Sequence, residues 1–239
     1  MSAAGKLLQA YFNFVYNPVY DLSTGKLKRY RKLQEACTDK LDLKDGDRVL
    51  CVGLGTGNEI ARILEINGNV DITGVDYSSS ALRKAQKKAT RLGKKIVLLR
   101  MDARRLLFNP DSFDRVLCLH VMDFIDEKTG TTREILRVLR NGGQYVITYP
   151  SDKEAPGLGW KLVRDNLRDK LGSGKNRLIA YLEFTVWFLV GLMYLPLLLR
   201  PNKKYYSFQE LNSLLSGFTV NFCIEEEPVY QDFIVYGTK

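Results

Sequence analysis

Histidine is almost absent from this sequence. With His120 as the single one in 239 residues, no multi-histidine metal centre can be assembled, and no other pattern in the chain asks for a metal. Cysteine is sparse as well. Cys37, Cys51, Cys118 and Cys223 form no C-x-x-C pair, and three of them fall inside apolar, strand-like runs. They read as buried free thiols in a reducing compartment. The opening stretch "MSAAGKLLQAYFNFVY" lacks the long apolar region and small-residue cleavage site of a secretory leader, so a cytoplasmic location is expected. Internal repeats and low-complexity tracts are missing too. Acidic residues are the minority, 27 against 36 basic ones, for a formal charge of +9. Such a balance favours polyanions, either nucleic acid or the anionic face of a membrane.

What is present is a regular beat between Asp47 and Tyr149. Short β-branched or leucine-rich runs recur at 48–53, 70–76, 95–102, 113–120 and 144–150, with helix-like segments at 58–66, 79–92 and 131–140 between them. Alternating strands and helices predict right-handed βαβ units around a parallel sheet, and the nearly continuous apolar strands predict helices on both faces. Ser78 is placed to cap the helix at 79, and Thr131 with Glu134, like Ser207 with Glu210, has capping-box spacing. "NGG" at 141–143 is expected to end a helix before the fifth strand. The tail reads as helix 208–215, strand 218–226, a turn at Pro228 and strand 231–238, the last two close enough for an antiparallel hairpin.

The stretch "RVLCVGLGTGNE" (48–59) turns this pattern towards chemistry. Gly53, Gly55 and Gly57 follow a strand and lead into a helix, a geometry in which backbone N–H groups approach a ligand closely. The dinucleotide fingerprint G-x-G-x-x-G needs a glycine at 58, where Asn58 stands, so the nicotinamide reading loses its most specific feature. The second strand ends in Asp76, positioned to accept from ribose hydroxyls, and the third ends in Asp102 and Ala103. In a doubly wound sheet all of these converge outside the carboxyl ends of the strands, where such folds bind ligands.

With these residues in order, the sequence resembles the class I S-adenosylmethionine-dependent methyltransferases. The resemblance rests on "VLCVGLGTG", "ITGVDYS", "LLRMDARRLLF", "SFDRVLCLHVMDF" and "EILRVLRNGGQYVITYP", and resumes from Ser207 to Lys239. It is similar in particular to the ubiquinone/menaquinone and phosphatidylethanolamine methyltransferase branch, whose N-terminal Tyr-Asp segment is matched by "YNPVYDLSTG" (16–25). The resemblance implies an α/β, doubly wound, Rossmann-like sheet of seven strands in the order 3-2-1-4-5-7-6, with strand 7 antiparallel. It implies S-adenosyl-L-methionine as cofactor. It places Gly53, Gly55 and Gly57 against the methionine part, Asp76 on the ribose hydroxyls, and Asp102 and Ala103 at the adenine, with Cys51 and Tyr77 also counted among the cofactor-binding residues. Leu119 and His120 then line the pocket near the sulfonium, and Tyr20 helps cover it. The implied division is a helical cap over 1–45, a core over 46–150 and 207–239, and an insertion over 151–206.

One position departs from the pattern. Members of this class usually carry an acid two residues before the first glycine, where this chain has Cys51. A thiol in an apolar strand supplies no fixed charge. Either Glu59 or Asp21 supplies it instead, or cofactor binding is weakened, or the fold is kept without catalysis.

Catalysis itself is thinly marked. Methyl transfer runs largely on alignment, and where a proton must leave the acceptor, His120 and Asp123 are the candidate bases. The N-P-P-Y motif of amino-methylating relatives is replaced by "HVMDF", which argues against planar-amine acceptors. The run "LIAYLEFTVWFLVGLMYLPLLL" (178–199) is long enough to cross a bilayer, but strands on both sides of it belong to one sheet, which forbids a single crossing. Lys161, Arg164, Arg168, Lys170, Lys175 and Arg177 precede it, and Arg200, Lys203 and Lys204 follow. That pattern suits an acceptor lid that also meets an anionic membrane surface. The expected function is therefore methyl transfer to a lipophilic small molecule, a quinone precursor, isoprenoid or membrane lipid, with peripheral membrane contact. The competing readings are an RNA methyltransferase and a non-catalytic membrane-associated protein. The basic helix face Arg83, Lys84, Lys87, Lys88 and Arg91 lacks the interleaved aromatics of a nucleic-acid platform.

Overall fold

The computed structural model describes residues 10–11, 28–152, 205–218, 220–227 and 232–239. Tyr20, Asp21, the apolar run 178–199 with its basic flanks and the turn at Pro228 lie outside the described residues. In chain order the elements are α1 (Lys28–Asp39), β1 (Arg48–Val52), α2 (Glu59–Ile66), β2 (Asp71–Asp76), α3 (Ser79–Arg91), β3 (Val97–Arg100), β4 (Phe113–Cys118), α4 (Lys128–Val138), β5 (Leu139–Tyr149), α5 (Phe208–Ser216), β6 (Asn221–Glu226) and β7 (Phe233–Thr238). The strands form one seven-stranded sheet ordered β3-β2-β1-β4-β5-β7-β6. β7 runs antiparallel to both neighbours, while the pairings among β1 to β5 are parallel. This is the implied α/β doubly wound topology.

Burial follows strand position. β1 and β4, in the middle, are buried almost throughout, whereas the edge strand β6 shows little burial on either face. Successive residues of β1 feed opposite layers. Val49 and Cys51 pack with Leu33 and Cys37 of α1, Ile60 and Ile63 of α2, and Ala85 and Ala89 of α3. Leu50 and Val52 pack on the other side with Ile135 of α4 and Leu211 and Leu215 of α5. Alternation along a strand thus joins two helical layers through one sheet.

Local signals explain most of the helix starts. The Ser78 side chain accepts from the Ala81 N–H to begin α3, and Ser207 and Glu210 form a reciprocal capping box at α5. α4 departs from expectation. It begins at Lys128, because the Glu127 side chain accepts from the Gly130 N–H, while Glu134 is engaged by the Leu106 N–H and Arg137. Nor does "NGG" cap a helix. The register jumps from Phe113↔Leu139 to Arg115↔Gln144, so residues 140–143 bulge out of β5. Gly142 has φ +71° and donates its N–H to the Lys239 carbonyl at 2.7 Å. Cys37, Cys51 and Cys118 are buried free thiols as expected, but Cys223 is exposed, because β6 is the outermost strand.

One polar contact fixes the floor of the sheet. Arg115 of β4 pairs with Asp47 at 3.2 Å, with side chains only 4% and 9% exposed, and also donates to the Asp42 carbonyl at 2.9 Å. Replacing one partner strands the other charge in the interior. Arg115→Leu is expected to lower the unfolding free energy in urea by about 3 kcal/mol. Arg62→Ala, which breaks an exposed pair with Asp39, is expected to change it far less, because solvent screens that pair. Equal losses for the two variants would contradict this reading.

Candidate functional site

At the end of β1 the chain enters the glycine turn, which closes through two backbone hydrogen bonds. Leu54 N–H donates to the Val75 carbonyl, and Gly57 N–H to the Leu54 carbonyl, each at 3.0 Å. Gly53, Gly55 and Gly57 all have positive φ, +66°, +58° and +76°. The space around them differs. A Cβ on Gly53 would sit 2.1 Å from Val121 Cγ2, and one on Gly57 would sit 2.6 Å from Ile60 Cδ1 and 3.0 Å from the Ala85 Cβ. Those two glycines admit the protein's own side chains. A Cβ on Gly55 would meet no atom closer than 3.9 Å, so Gly55 is the glycine with open space before it. The open space singles out Gly55 as the glycine with an approach free of side chains.

Asp76, at the end of β2, holds this turn in place. Its Oδ2 accepts from the Gly55 N–H at 2.8 Å and its Oδ1 from the Ser78 N–H at 2.7 Å. Burial raises its pKa, and the two backbone hydrogen bonds oppose that rise. Each oxygen keeps a lone pair for a further donor. Asp102 lies one strand over, where Met101 N–H donates to the Asp76 carbonyl. Arg104 Nη2 reaches Asp102 Oδ2 at 2.5 Å and holds its carboxyl below the usual range. Ala103 is partly buried beside it, and Tyr77 lies under the Arg100 guanidinium, 5.7 Å from the ring centroid. Lys88 of α3 is no mere solvated charge. Its ammonium donates to Thr56 Oγ1 at 3.1 Å and Asn58 Oδ1 at 2.5 Å, bracing the turn.

Cys51 stands apart from this array. It is 2% exposed, and burial pushes its thiol pKa up, so the strand supplies no charge. The expectation of Cys51 as a cofactor contact is replaced by a core position beneath the turn. Leu119 belongs to the same core layer.

Beyond β4 the chain turns sharply at His120, whose φ is +56° and whose N–H donates to Thr148 Oγ1 at 2.7 Å. The imidazole Nδ1 lies 3.4 Å from Asp123 Oδ2 and 3.2 Å from Asp232 Oδ2. Burial alone lowers the ring's pKa, but hydrogen bonds to the two carboxylates, and their charge, overcome it and raise the pKa to about 10. His120 is therefore an imidazolium at neutral pH, a donor rather than the general base expected from the sequence. Asp232, at the start of β7, was not foreseen. Nothing local marks it, and only the antiparallel pairing of β7 with β5 brings it beside β4. These three side chains each offer an atom of metal-ligand type, all within 4.8 Å of one another.

Comparison with known proteins gives the class. Residues 49–143 match the family model of the methyltransferase domain. The phosphatidylethanolamine N-methyltransferase of Cereibacter sphaeroides is 34% identical over 131 residues, 54% of this chain and 62% of that protein. The ubiquinone/menaquinone biosynthesis C-methyltransferase UbiE of Paracoccus denitrificans is 30% identical over 147 residues, 61% of this chain and 58% of that one. The chain thus spans less than two thirds of these curated relatives. The magnesium protoporphyrin IX methyltransferase of Synechocystis, solved with bound S-adenosylhomocysteine, superposes with a TM-score of 0.65 over 98% of this chain and 99% of that one at 14% identity. A SAM-dependent methyltransferase from Aquifex aeolicus gives 0.57 over 85% and 88% at 17% identity. The fold is that of the S-adenosylmethionine-dependent methyltransferases, and residues 49–143 are similar to the methyltransferase domain. Within that class the chain resembles the quinone and phosphatidylethanolamine branch. The cofactor implied is S-adenosyl-L-methionine. The residues present fit it: Gly55 leaves an approach free of side chains, and Asp76 and Asp102 stand at the ends of β2 and β3, the strands that follow β1 across the sheet.

Two outcomes follow from this geometry. Gly55→Ala meets only the left-handed backbone penalty, about 1 kcal/mol, yet puts a methyl group in the open space and is expected to weaken S-adenosylhomocysteine binding. Gly57→Ala adds internal clashes and is expected to cost clearly more stability. Urea unfolding with calorimetry separates the two, and equal stability losses would contradict the assignment. For His120, the folded-state pKa near 10 exceeds the ordinary 6.5, so its stabilisation is complete below pH 6.5 and is lost as pH rises towards 10. The stability advantage of the wild type over His120→Gln is expected to shrink across that window. A constant difference would refute the ion-pair geometry.

Proposed function

We propose that the protein is an S-adenosylmethionine-dependent methyltransferase whose acceptor is a lipophilic small molecule, a quinone precursor, isoprenoid or membrane lipid, met at an anionic membrane surface. The observation that carries the donor half is the convergence of Gly55, Asp76 and Asp102 at the ends of three adjacent strands. The acceptor half is supported by relatives named for phosphatidylethanolamine and for ubiquinone and menaquinone. It is also supported by the apolar run 178–199 between basic flanks. Among the described residues no helix is long and apolar enough to cross a membrane.

The cofactor supplies an electrophilic methyl group on a sulfonium. The chain's own residues do the rest. The free lone pairs of Asp76 take the ribose hydroxyls, and its bonds to Gly55 and Ser78 fix their direction. Asp102 and Ala103 border the adenine. Orientation of this kind accounts for most of the rate in a transfer between aligned partners. His120, charged, neutralises part of the acidic cluster and holds Asp123. Of the two candidate bases, the Asp123 carboxylate is then the one left to take a proton from the acceptor.

The test is incubation of the protein with radiolabelled methyl donor and a cell extract, followed by partition. Label is expected in the organic fraction, and Asp76→Ala is expected to reduce it by roughly 100-fold through loss of charged hydrogen bonds, with circular dichroism confirming that the variant folds. Label in the RNA fraction overturns the acceptor class, and no transfer to any fraction overturns the enzymatic reading. Co-flotation with anionic liposomes, abolished by deleting 178–199, is expected for the membrane contact.

A further inference from the structure

α2 opens on a residue that the fold treats at a cost. Glu59 is the first residue of that helix and only 8% exposed. Its Oε1 accepts from Gln34 Nε2 of α1 at 3.2 Å, while Oε2 has no hydrogen-bond partner among the described residues. A buried carboxylate oxygen without a donor is destabilising, and such groups concentrate where a ligand completes them. Glu59 stands two residues after Gly57, where the glycine turn becomes α2, and its charge is felt by Cys51 beneath the turn, by Lys88 and by His120 beyond β4.

The chemistry of the donor supplies the missing partner. Its amino-acid end is a zwitterion, with an ammonium beside a carboxylate. An ammonium drawn into a crevice needs an anion, and β1 offers only the neutral thiol of Cys51. We infer that Glu59 is the residue that receives the donor's ammonium, its unpartnered Oε2 accepting the N–H and supplying the charge that β1 lacks. This rests on the proposed S-adenosylmethionine reading and names a further binding residue within that site. Burial holds the Glu59 carboxyl above the ordinary carboxylate range, and an adjacent ammonium reverses that by favouring the charged form. Gln34 then positions the carboxylate, which makes α1 part of the cofactor site.

The experiment compares two probes by calorimetry, S-adenosylhomocysteine and 5′-methylthioadenosine, which share the nucleoside but differ in the amino-acid end. Glu59→Gln keeps the shape and the bond to Gln34 while removing the charge. It is expected to weaken S-adenosylhomocysteine about 10- to 100-fold and to leave 5′-methylthioadenosine unchanged. The variant's thermal midpoint is expected to match or exceed the wild type's, since an uncompensated buried charge has been removed. Equal weakening of both probes, or of neither, overturns the assignment of Glu59 while leaving the donor reading standing. A wild-type protein that binds neither probe overturns the donor reading itself.

Discussion

The carboxylate of Asp76 accepts the Gly55 N–H on one oxygen and the Ser78 N–H on the other. Through the first bond the end of β2 sets the shape of the turn after β1. Through the second it sets where α3 begins, since Ser78 is that helix's cap. Its own carbonyl accepts from Met101, which draws in the end of β3. One side chain thereby couples three strand ends and a helix start, and the lone pairs left over point the same function at a ligand. Structural role and binding role are not alternatives here, because the direction of the free lone pairs is fixed by the bonds already made.

A second constraint is charge. The chain is basic overall, yet the described site gathers Asp123 and Asp232 against one histidine, with Glu59 and Asp76 at the glycine turn. Burial raises the pKa of Glu59, Asp76 and Asp232, so the folded apo state keeps carboxylates where water can no longer stabilise them. His120 and Lys88 offset part of that cost, the first against Asp123 and Asp232, the second beside the turn. Such a set of carboxylates suits the proposed ligand, a nucleoside sulfonium that carries an ammonium and ribose hydroxyls. Among the described residues, part of the basic surplus lies on the outer face of α3, where Arg83, Lys87 and Arg91 are exposed.

Much of this was legible from residues in order. The strand beat, the caps at Ser78 and Ser207 and the glycine–Asp76–Asp102 register follow from local periodicity and turn chemistry, and they fix the sheet order once the class resemblance is added. What was not legible depends on long-range contact. Glu134 has the spacing of a capping box, but Leu106, 28 residues away, claims its side chain. "NGG" has the composition of a helix end, but the Lys239 backbone pairs with it and makes it a bulge. His120 has the profile of a base until Asp232 arrives from a strand 112 residues later and fixes its proton. The three glycines look equivalent in the sequence, and only packing against Val121, Ile60 and Ala85 distinguishes them.

The central claim is that an adenosine-bearing sulfonium compound binds at the ends of β1, β2 and β3. The most direct measurement is a titration of the isotope-labelled protein with S-adenosylhomocysteine, followed by backbone amide chemical shifts. The account predicts the largest changes at the amides of Gly55 and Ser78, with further changes at Asp102, Ala103 and His120. Saturating ligand with those amides unmoved, or the largest shifts on α5 and β6, would contradict it.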